Sequence, residues 1–257
     1  MLNSLDLTGR VAVVIGGTSG LGHAIALGLA DAGADVVPSG RREGLVREAC
    51  AQVEKTGRRS LAVPVDVVDR HSVDALRQRV LEHLGRVDIL VNAAGRIARK
   101  PTVEVSETEW RDILDVNATG ALRACQSFYE ALVRSGHGRV INIASLNSFV
   151  SLNEVAAYAA SKSALLSLTR SLAVEWAASG VNVNAIAPGV FVTDLNRKIL
   201  AETERGRELL WRTPMKRFGC AEELIGAAVL LASDAASYIA GQCLVVDGGF
   251  LASGVNS

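Results

Sequence analysis

Short runs rich in valine and isoleucine alternate with helix-like segments along nearly the whole chain, and this alternation constrains the fold most strongly. The runs lack regular polar alternation, which is typical of strands covered on both faces. Segments between them carry apolar residues at helical spacing, as in Leu21–Ala32. The pattern predicts an α/β fold: a doubly wound parallel sheet of about seven strands with helices on both faces. The predicted strands are Val11–Ile15, Asp35–Ser39, Ser60–Asp66, Val87–Asn92, Arg139–Ala144, Val181–Ala187 and Cys243–Val246.

Length and charge limit the number of domains and the classes of partner. The alternation leaves no linker, so residues 1–257 are predicted to form a single domain. The 27 basic and 27 acidic residues balance, which argues against a nucleic-acid or anionic-membrane partner. No apolar run reaches the ~18 residues of a membrane span, and no signal peptide is evident. Together with four widely separated cysteines and no metal-ligand spacing, this predicts a cytoplasmic protein without a metal.

A glycine-rich turn follows the first predicted strand. Gly16, Gly20 and Gly22 are spaced G-x-x-x-G-x-G and lead directly into a helix. Glycines allow a tight turn and close approach of the backbone to a pyrophosphate, which the N-terminus of the helix would attract. A plain strand–helix turn capped by glycine is the alternative. The predicted cofactor-binding residues of this turn are Gly16, Thr18, Ser19, Gly20, Leu21 and Gly22.

The end of the second predicted strand bears on the choice of cofactor. An acidic residue at this end would bind the ribose hydroxyl of NAD, but Ser39 and Gly40 are followed by Arg41 and Arg42. Asp35 lies at the entrance of the strand, the wrong end for that contact. Two guanidinium groups suit a 2′-phosphate, so NADP(H) is preferred, while NAD(H) remains possible because arginine can also stack on adenine.

A tyrosine, a lysine and a serine form the candidate catalytic group. Tyr158 and Lys162 are spaced i and i+4, on one face of a predicted helix. An adjacent ammonium group lowers the pKa of a phenol and makes it usable as an acid–base catalyst. Ser145 follows the strand Arg139–Ala144 at the edge where ligands bind, and its hydroxyl can hold a carbonyl oxygen. Asn117 is a polar residue inside an apolar helical pattern.

With these residues in place, the sequence resembles the short-chain dehydrogenase/reductase family over residues 16 to 249. The resemblance implies a Rossmann fold and NAD(P)-linked interconversion of alcohols and ketones. It implies that Tyr158 is the acid/base, that Lys162 lowers its pKa and holds the nicotinamide ribose, that Ser145 holds the substrate oxygen and that Asn117 holds a relay water. It also implies cofactor contacts from Asp66, Val67, Asn92, Ala93, Ala94, Gly95, Tyr158, Lys162, Pro188, Gly189, Phe191 and Thr193.

A closer resemblance is to gluconate 5-dehydrogenases and 2-deoxygluconate 3-dehydrogenases of that family. It rests on the stretches Arg212–Gly219 and Val246–Val255. It implies that the substrate is a small molecule, either a sugar acid or a polyol. A reductase of 3-oxoacyl-[acyl-carrier-protein] is the alternative, and a non-catalytic nucleotide-binding protein is a more remote one. Ile15 and Ala93 replace the threonine and asparagine usual in the family, and both substitutions concern loop support.

Loops beside Ser145 and Tyr158 provide candidates for the substrate pocket. Arg96, Arg99 and Lys100 could meet a carboxylate, with a solvated charged loop as the alternative. The charged segment Leu195–Arg217 is predicted to be a lid. The remaining substrate candidates are Asn147, Phe149, Glu154 and Phe191.

The resemblance also implies a homotetramer, in which helices Ser106–Ser135 and Ala156–Ala178 pair across a two-fold axis. The apolar residues of each helix cover a wider face, here called its apolar arc, than one sheet can bury, which favours association. The alternative is that all of these residues face the sheet of a single chain. The residues concerned are Leu122, Ala124, Cys125, Phe128, Ala131, Leu165, Leu168, Leu172 and Trp176, with the apolar tail Phe250–Ala252.

Overall fold

The computed structural model describes residues 2–193 and 196–254, which form one parallel sheet between two layers of helices. Six strands pair in the order β2-β1-β3-β4-β5-β6. Their bounds are β1 Val11–Ile15, β2 Asp35–Ser39, β3 Ile89–Asn92, β4 Arg139–Ile143, β5 Asn182–Pro188 and β6 Cys243–Val246.

Helices connect the strands and cover both faces of the sheet. Short 3-10 turns and one π-helical turn lie between several of them. The helices are α1 Gly20–Asp31, α2 Glu43–Lys55, α3 Arg70–Leu84, α4 Glu107–Leu114, α5 Gly120–Ser135, α6 Ala156–Trp176, α7 Arg197–Glu202, α8 Glu204–Arg212 and α9 Ile225–Ala232. None of the helices within the described ranges is long and apolar enough to cross a bilayer.

Successive residues of β1 point into two different cores. Val11, Val13 and Ile15 pack in the cluster that contains Phe128 of α5. Ala12 and Val14 pack in the other cluster, against α1 and α9. Because side chains alternate across a strand, a sheet buried on both faces needs apolar residues at every position. This accounts for the uninterrupted valine and isoleucine runs of the sequence.

The sheet order places the glycine turn at a topological switch point. Strand β1 pairs with β2 on one side and with β3 on the other, in parallel register in both cases. The connections that leave β1 and β2 therefore run in opposite directions along the sheet. In such sheets ligands bind in the crevice beyond the carboxyl ends of the strands at this reversal.

One of the seven predicted strands, Ser60–Asp66, does not form. The segment lies beside β2, where Val36 N donates to Arg59 O at 3.1 Å and Val65 N donates to Gly40 O at 3.0 Å. Pro38 of β2 lies between these two contacts and has no N–H, so the ladder is interrupted at that position. The segment thus remains an extended margin of the sheet, and the strand count is six.

The apolar arcs cited for a tetramer are mostly covered within one chain. Leu122 and Leu168 are half-buried, and the other seven residues of the two arcs are buried. In the apolar tail, Phe250 is buried, with the Arg212 guanidinium 5.1 Å from its ring centroid, whereas Leu251 is half-buried and Ala252 is exposed. Most of the residues cited for a tetramer therefore pack inside one chain.

Candidate active site

The glycine turn requires glycine for two physical reasons. Gly16 has φ +87°, in the left-handed region, and a Cβ there would lie 2.5 Å from the Ala94 nitrogen. A Cβ on Gly22 would lie 2.2 Å from the Gly16 oxygen. Ser19 begins α1 without a side-chain capping bond and is exposed. The turn therefore forms a cradle with an open helix N-terminus, which fits the pyrophosphate of a dinucleotide.

The end of β2 carries the two arginines beside this cradle. Arg41 and Arg42 are exposed, and Arg42 Nη2 donates to Ser19 Oγ at 3.3 Å. Thr18 also borders this end, since its Oγ1 would lie 3.0 Å from a Cβ on Gly40. The predicted placement of Asp35 at the opposite end of β2 is confirmed: its carboxylate binds the Arg59 guanidinium at 2.6 Å.

Two further predicted cofactor segments border the crevice. Asp66 accepts from Val68 N at 3.2 Å, and Val67 O accepts from Arg123 at 3.1 Å. After β3, Ala93 N donates to Ile15 O at 2.8 Å, which holds the Ala93–Gly95 loop against the glycine turn. Asn92 lies behind this loop, where its side chain donates to Asn142 Oδ1 at 2.8 Å inside the sheet.

The carboxyl ends of β5 and β6 supply the opposite wall. Gly189 follows β5, and a Cβ there would lie 2.6 Å from the Asp247 Cα, so this site also requires glycine. The methyl group of Thr193 would lie 3.8 Å from a Cβ on Gly20, which brings this wall to the glycine turn. Phe191 is buried against Gly219, so its ring is part of the core. Leu195, the first residue of the predicted lid, and Val255 lie outside the described residues.

Ser145 and Tyr158 meet at the carboxyl end of β4. Ser145 is buried two residues past the strand, and its Oγ accepts from Asn147 N at 3.2 Å. Tyr158 lies in the first turn of α6. Burial raises the pKa of Tyr158, and a hydrogen bond with Ser145 lowers it by a smaller amount.

Lys162 is buried one turn further along α6. Its Nζ donates to Ile143 O at 2.7 Å and lies 5.7 Å from the centroid of the Tyr158 ring. Burial lowers the pKa of Lys162 to about 8. The structure therefore brings the tyrosine, the lysine and the serine together, with an amine positioned to influence the phenol.

Asn117 lies in a π-helical turn, Asp115–Thr119, which divides the predicted helix 106–135 into α4 and α5. Its Oδ1 accepts from Arg96 N at 2.7 Å, and its Nδ2 donates to Arg96 O at 2.8 Å and to Ser161 Oγ at 2.9 Å. Both amide hydrogens are thus in use, so a water at Asn117 would have to donate to one of its oxygens. π-helical turns inside α-helices are rare and frequently occur at functional sites.

Ser161 is a site residue that the sequence reasoning missed. It is fully buried, accepts the hydrogen bond from Asn117 and donates to the Tyr158 carbonyl at 2.7 Å. The hydroxyl therefore links the π turn to the helix that carries Tyr158 and Lys162. Its position three residues after Tyr158 was the available signal, since residues spaced i and i+3 are neighbours on a helix.

The three predicted carboxylate-binding cations are each paired with an acid of the chain itself. Arg96 lies 3.3 Å from Asp112, Arg99 lies 2.7 Å from Glu154, and Lys100 lies 3.2 Å from Glu109. Of the other substrate candidates, Asn147 is buried, whereas Phe149 is 49% exposed. Glu154 adopts φ +65°, an unusual conformation for a residue with a side chain.

The two stretches that carried the closer resemblance lie against each other. Met215 N donates to Gly248 O at 3.2 Å, and a Cβ on Gly249 would lie 3.1 Å from Pro214. They therefore form one structural unit beyond the carboxyl end of β6.

Comparison with known proteins agrees with this site. The family model described as enoyl-(acyl carrier protein) reductase matches residues 15–251. The chain belongs to the short-chain dehydrogenase/reductase family, and it is an NAD(P)-dependent oxidoreductase acting on CH–OH groups.

Individual relatives cover almost the whole chain. A 2-dehydro-3-deoxy-D-gluconate 5-dehydrogenase from Dickeya dadantii is 41% identical, covering 98% of this chain and 99% of its own length. A structure from Beutenbergia cavernae, assigned as an NAD(P)-dependent gluconate 5-dehydrogenase with bound NADP, is 47% identical with TM-score 0.92, covering 97% and 100%. A gluconate 5-dehydrogenase from Burkholderia cenocepacia, in complex with NADP and tartrate, is 35% identical with TM-score 0.93, covering 98% and 99%.

Proposed function

We propose that the protein interconverts a secondary alcohol and a ketone of a sugar acid, with NADP(H) preferred over NAD(H). The observation that carries the proposal is the convergence of Ser145, Tyr158 and Lys162 beyond the carboxyl end of β4. The cradle at Gly16 and Gly22, where side chains cannot fit, faces the same edge of the sheet.

The residues present account for the proton chemistry. In the oxidation direction, the Tyr158 phenolate takes the hydroxyl proton of the substrate; in reduction, the phenol returns a proton to the carbonyl oxygen. Ser145 Oγ donates a hydrogen bond to that oxygen as it gains charge. The Lys162 ammonium favours the phenolate form of Tyr158 and would hold the nicotinamide ribose. The nicotinamide group, when bound, accepts or supplies the hydride.

A sugar acid is the substrate class that the relatives support best. The Dickeya dadantii and Burkholderia cenocepacia proteins are named for gluconate derivatives, and both match the chain over nearly its full length. The segment before Tyr158 and its neighbours also carry charges of both signs, including Arg99 and Glu154 on loops and Arg205 on α8. Such groups suit a substrate with a carboxylate and several hydroxyls better than the apolar chain of an acyl thioester.

The preference for NADP(H) rests on the end of β2. Arg41 and Arg42 are exposed beside the glycine turn, and Arg42 contacts Ser19 within it. A 2′-phosphate at this position would meet two guanidinium groups. The Asp35 carboxylate, at the other end of the strand, is held by Arg59.

We also propose a cytoplasmic homotetramer. The four free cysteines suit a reducing compartment. The outer face of α6 supports association, because Val174 is 81% exposed among the exposed small residues Ala164, Ser167 and Ser171. Light scattering at micromolar concentration should give about four times the chain mass of 27.0 kDa. A mass near that of one chain would exclude the tetramer.

A substrate screen tests the function. Gluconate, 5-keto-D-gluconate, neutral polyols and a 3-oxoacyl thioester are each offered with both cofactors, and reduced nicotinamide is followed by absorbance. Turnover of the sugar acids that disappears in Tyr158→Phe is the expected result. Activity confined to the 3-oxoacyl thioester would support the alternative, and binding of cofactor without any turnover would support a non-catalytic protein.

A further inference from the structure

An open cavity lies between α8 and the loops that precede α6 and α4. Its lining comes from both sides: Arg99 and Asn153 from the loops, and Thr203, Glu204, Arg205 and Glu208 from the start of α8. Asn153, which lines the cavity, and Glu154, which binds Arg99 there, lie five and four residues before Tyr158. The cavity therefore borders the segment that leads into the helix of the candidate catalytic group.

The cations of the loop after β3 are already neutralised. Arg96, Arg99 and Lys100 form ion pairs with Asp112, Glu154 and Glu109, at 3.3, 2.7 and 3.2 Å respectively. The charge of each of these cations is already balanced by an acid of the chain, so a substrate carboxylate gains less there than at a cation without an acid partner.

Arg205 differs from these three cations. Its Nη1 donates to the neutral Asn153 carbonyl at 3.1 Å, and within the described residues it has no carboxylate at ion-pair distance. The side chain is half-buried, whereas Glu204 and Glu208 on the same helix are exposed to solvent, which screens their charge. Burial and the nearby Arg99 charge lower the pKa of Arg205, while the charges of Glu154 and Glu208 raise it by smaller amounts. An incoming anion would stabilise the charged guanidinium.

We infer that Arg205 binds the carboxylate of the sugar-acid substrate. This inference rests on the proposed function and assigns its acid-recognising group to α8, not to the loop after β3. The guanidinium has further N–H groups beyond the one that Asn153 occupies, so it can still receive a carboxylate. Thr203 and the carboxylates of the lining are suited to the substrate hydroxyls.

Binding of carboxylates to the protein–NADP⁺ complex tests this directly. Tartrate and 5-keto-D-gluconate are titrated calorimetrically into the parent, Arg205→Gln and Arg207→Gln. Arg207 is the matched control, an exposed arginine on the same helix. Loss of a charge-assisted hydrogen bond should weaken binding roughly 10- to 100-fold in Arg205→Gln and leave Arg207→Gln unchanged.

Further variants and readouts separate the possible failures. Arg205→Lys keeps the charge but loses the planar fork, so it should recover part of the affinity. Unchanged NADP⁺ affinity shows that each variant is folded. If Arg205→Gln does not fold, the carboxylate affinity of Arg205→Lys is compared with that of the parent instead. Equal carboxylate affinity in parent and Arg205→Gln, or no carboxylate binding by the parent, would overturn the inference. Binding that depends on Arg205 without turnover of any sugar acid would leave it standing and refute the proposed function.

Discussion

Lys162 holds its ammonium group 5.7 Å from the centroid of the Tyr158 ring while donating to the Ile143 carbonyl at 2.7 Å. Burial acts on the two residues in opposite directions. It lowers the pKa of Lys162 to about 8 and raises the pKa of Tyr158, because each charged form is poorly solvated there. The i, i+4 spacing on α6 thus places an amine and a phenol where the charge of one favours the opposite charge on the other.

The first prediction concerns the acid/base group. Tyr158→Phe removes the hydroxyl and keeps the ring, so kcat should fall by about 100-fold or more while cofactor affinity stays nearly constant. Steady-state kinetics and a cofactor titration measure the two effects. A variant that retains more than ~10% of kcat would show that another group moves the proton.

Burial of Lys162 should lower the free energy of unfolding at neutral pH. The folded pKa of about 8 lies below the ordinary value of 10.5, so the unfolded chain binds the proton more strongly between these pH values. Stability from this group is therefore present above pH 10.5 and lost as pH falls to 8. At pH 7 the loss corresponds to about 3 kcal/mol.

Lys162→Met tests this cost, because methionine is similar in length and uncharged. We expect the variant to be inactive yet more stable than the parent to urea at pH 7, with the difference shrinking towards pH 10. A variant less stable than the parent at both pH values would contradict this explanation.

Ser161 is predicted to position Asn117 and Tyr158. Ser161→Ala leaves the Asn117 amide and the Tyr158 carbonyl without their shared partner. An unsatisfied buried polar group costs about 1–3 kcal/mol, so we expect a lower melting temperature and a kcat reduced roughly tenfold, with cofactor affinity retained. Ser237→Ala, at an exposed serine beside the amino end of β5, is the control and should match the parent in both measurements. Equal kcat in Ser161→Ala and the parent would limit Ser161 to a structural role.

Cofactor preference should depend on the end of β2. The parent should have a higher kcat/KM for NADP⁺ than for NAD⁺. Arg41→Glu and Arg42→Glu should each lower kcat/KM for NADP⁺ roughly 10- to 100-fold and affect NAD⁺ far less, since only NADP⁺ carries the phosphate. Arg47→Glu is the control, an exposed arginine of α2 that pairs with Glu43. Equal kcat/KM for the two cofactors in the parent would refute the preference.

Local sequence signals predicted those elements that depend on local physics. Val11–Ile15, Asp35–Ser39 and Cys243–Val246 form strands with the predicted bounds, because short runs that contain branched apolar residues favour strands. Helix Ser106–Ser135 was predicted to begin at Ser106, and Ser106 and Glu109 form a capping box at this start, a motif readable from local sequence.

The features that were missed depend on contacts between distant segments. The π turn at Asn117 is held by Arg96 and Ser161, which lie 21 and 44 residues away in sequence. Arg99 is neutralised by Glu154, 55 residues further on. Apolar periodicity carries no information about such polar contacts. The helix was therefore predicted to be continuous, and Arg99 was offered as a candidate for a substrate carboxylate with a solvated charged loop as the alternative.

The fate of the hydride tests the central claim most directly. NADPH carrying deuterium at the transferable position of the nicotinamide is supplied with 5-keto-D-gluconate, and the product is examined by mass spectrometry and NMR. The account predicts a sugar acid that gains one deuterium, bonded to the former ketone carbon, in the parent and none in Tyr158→Phe. A parent enzyme that leaves the keto acid unlabelled, while transferring deuterium to a 3-oxoacyl thioester, would contradict it.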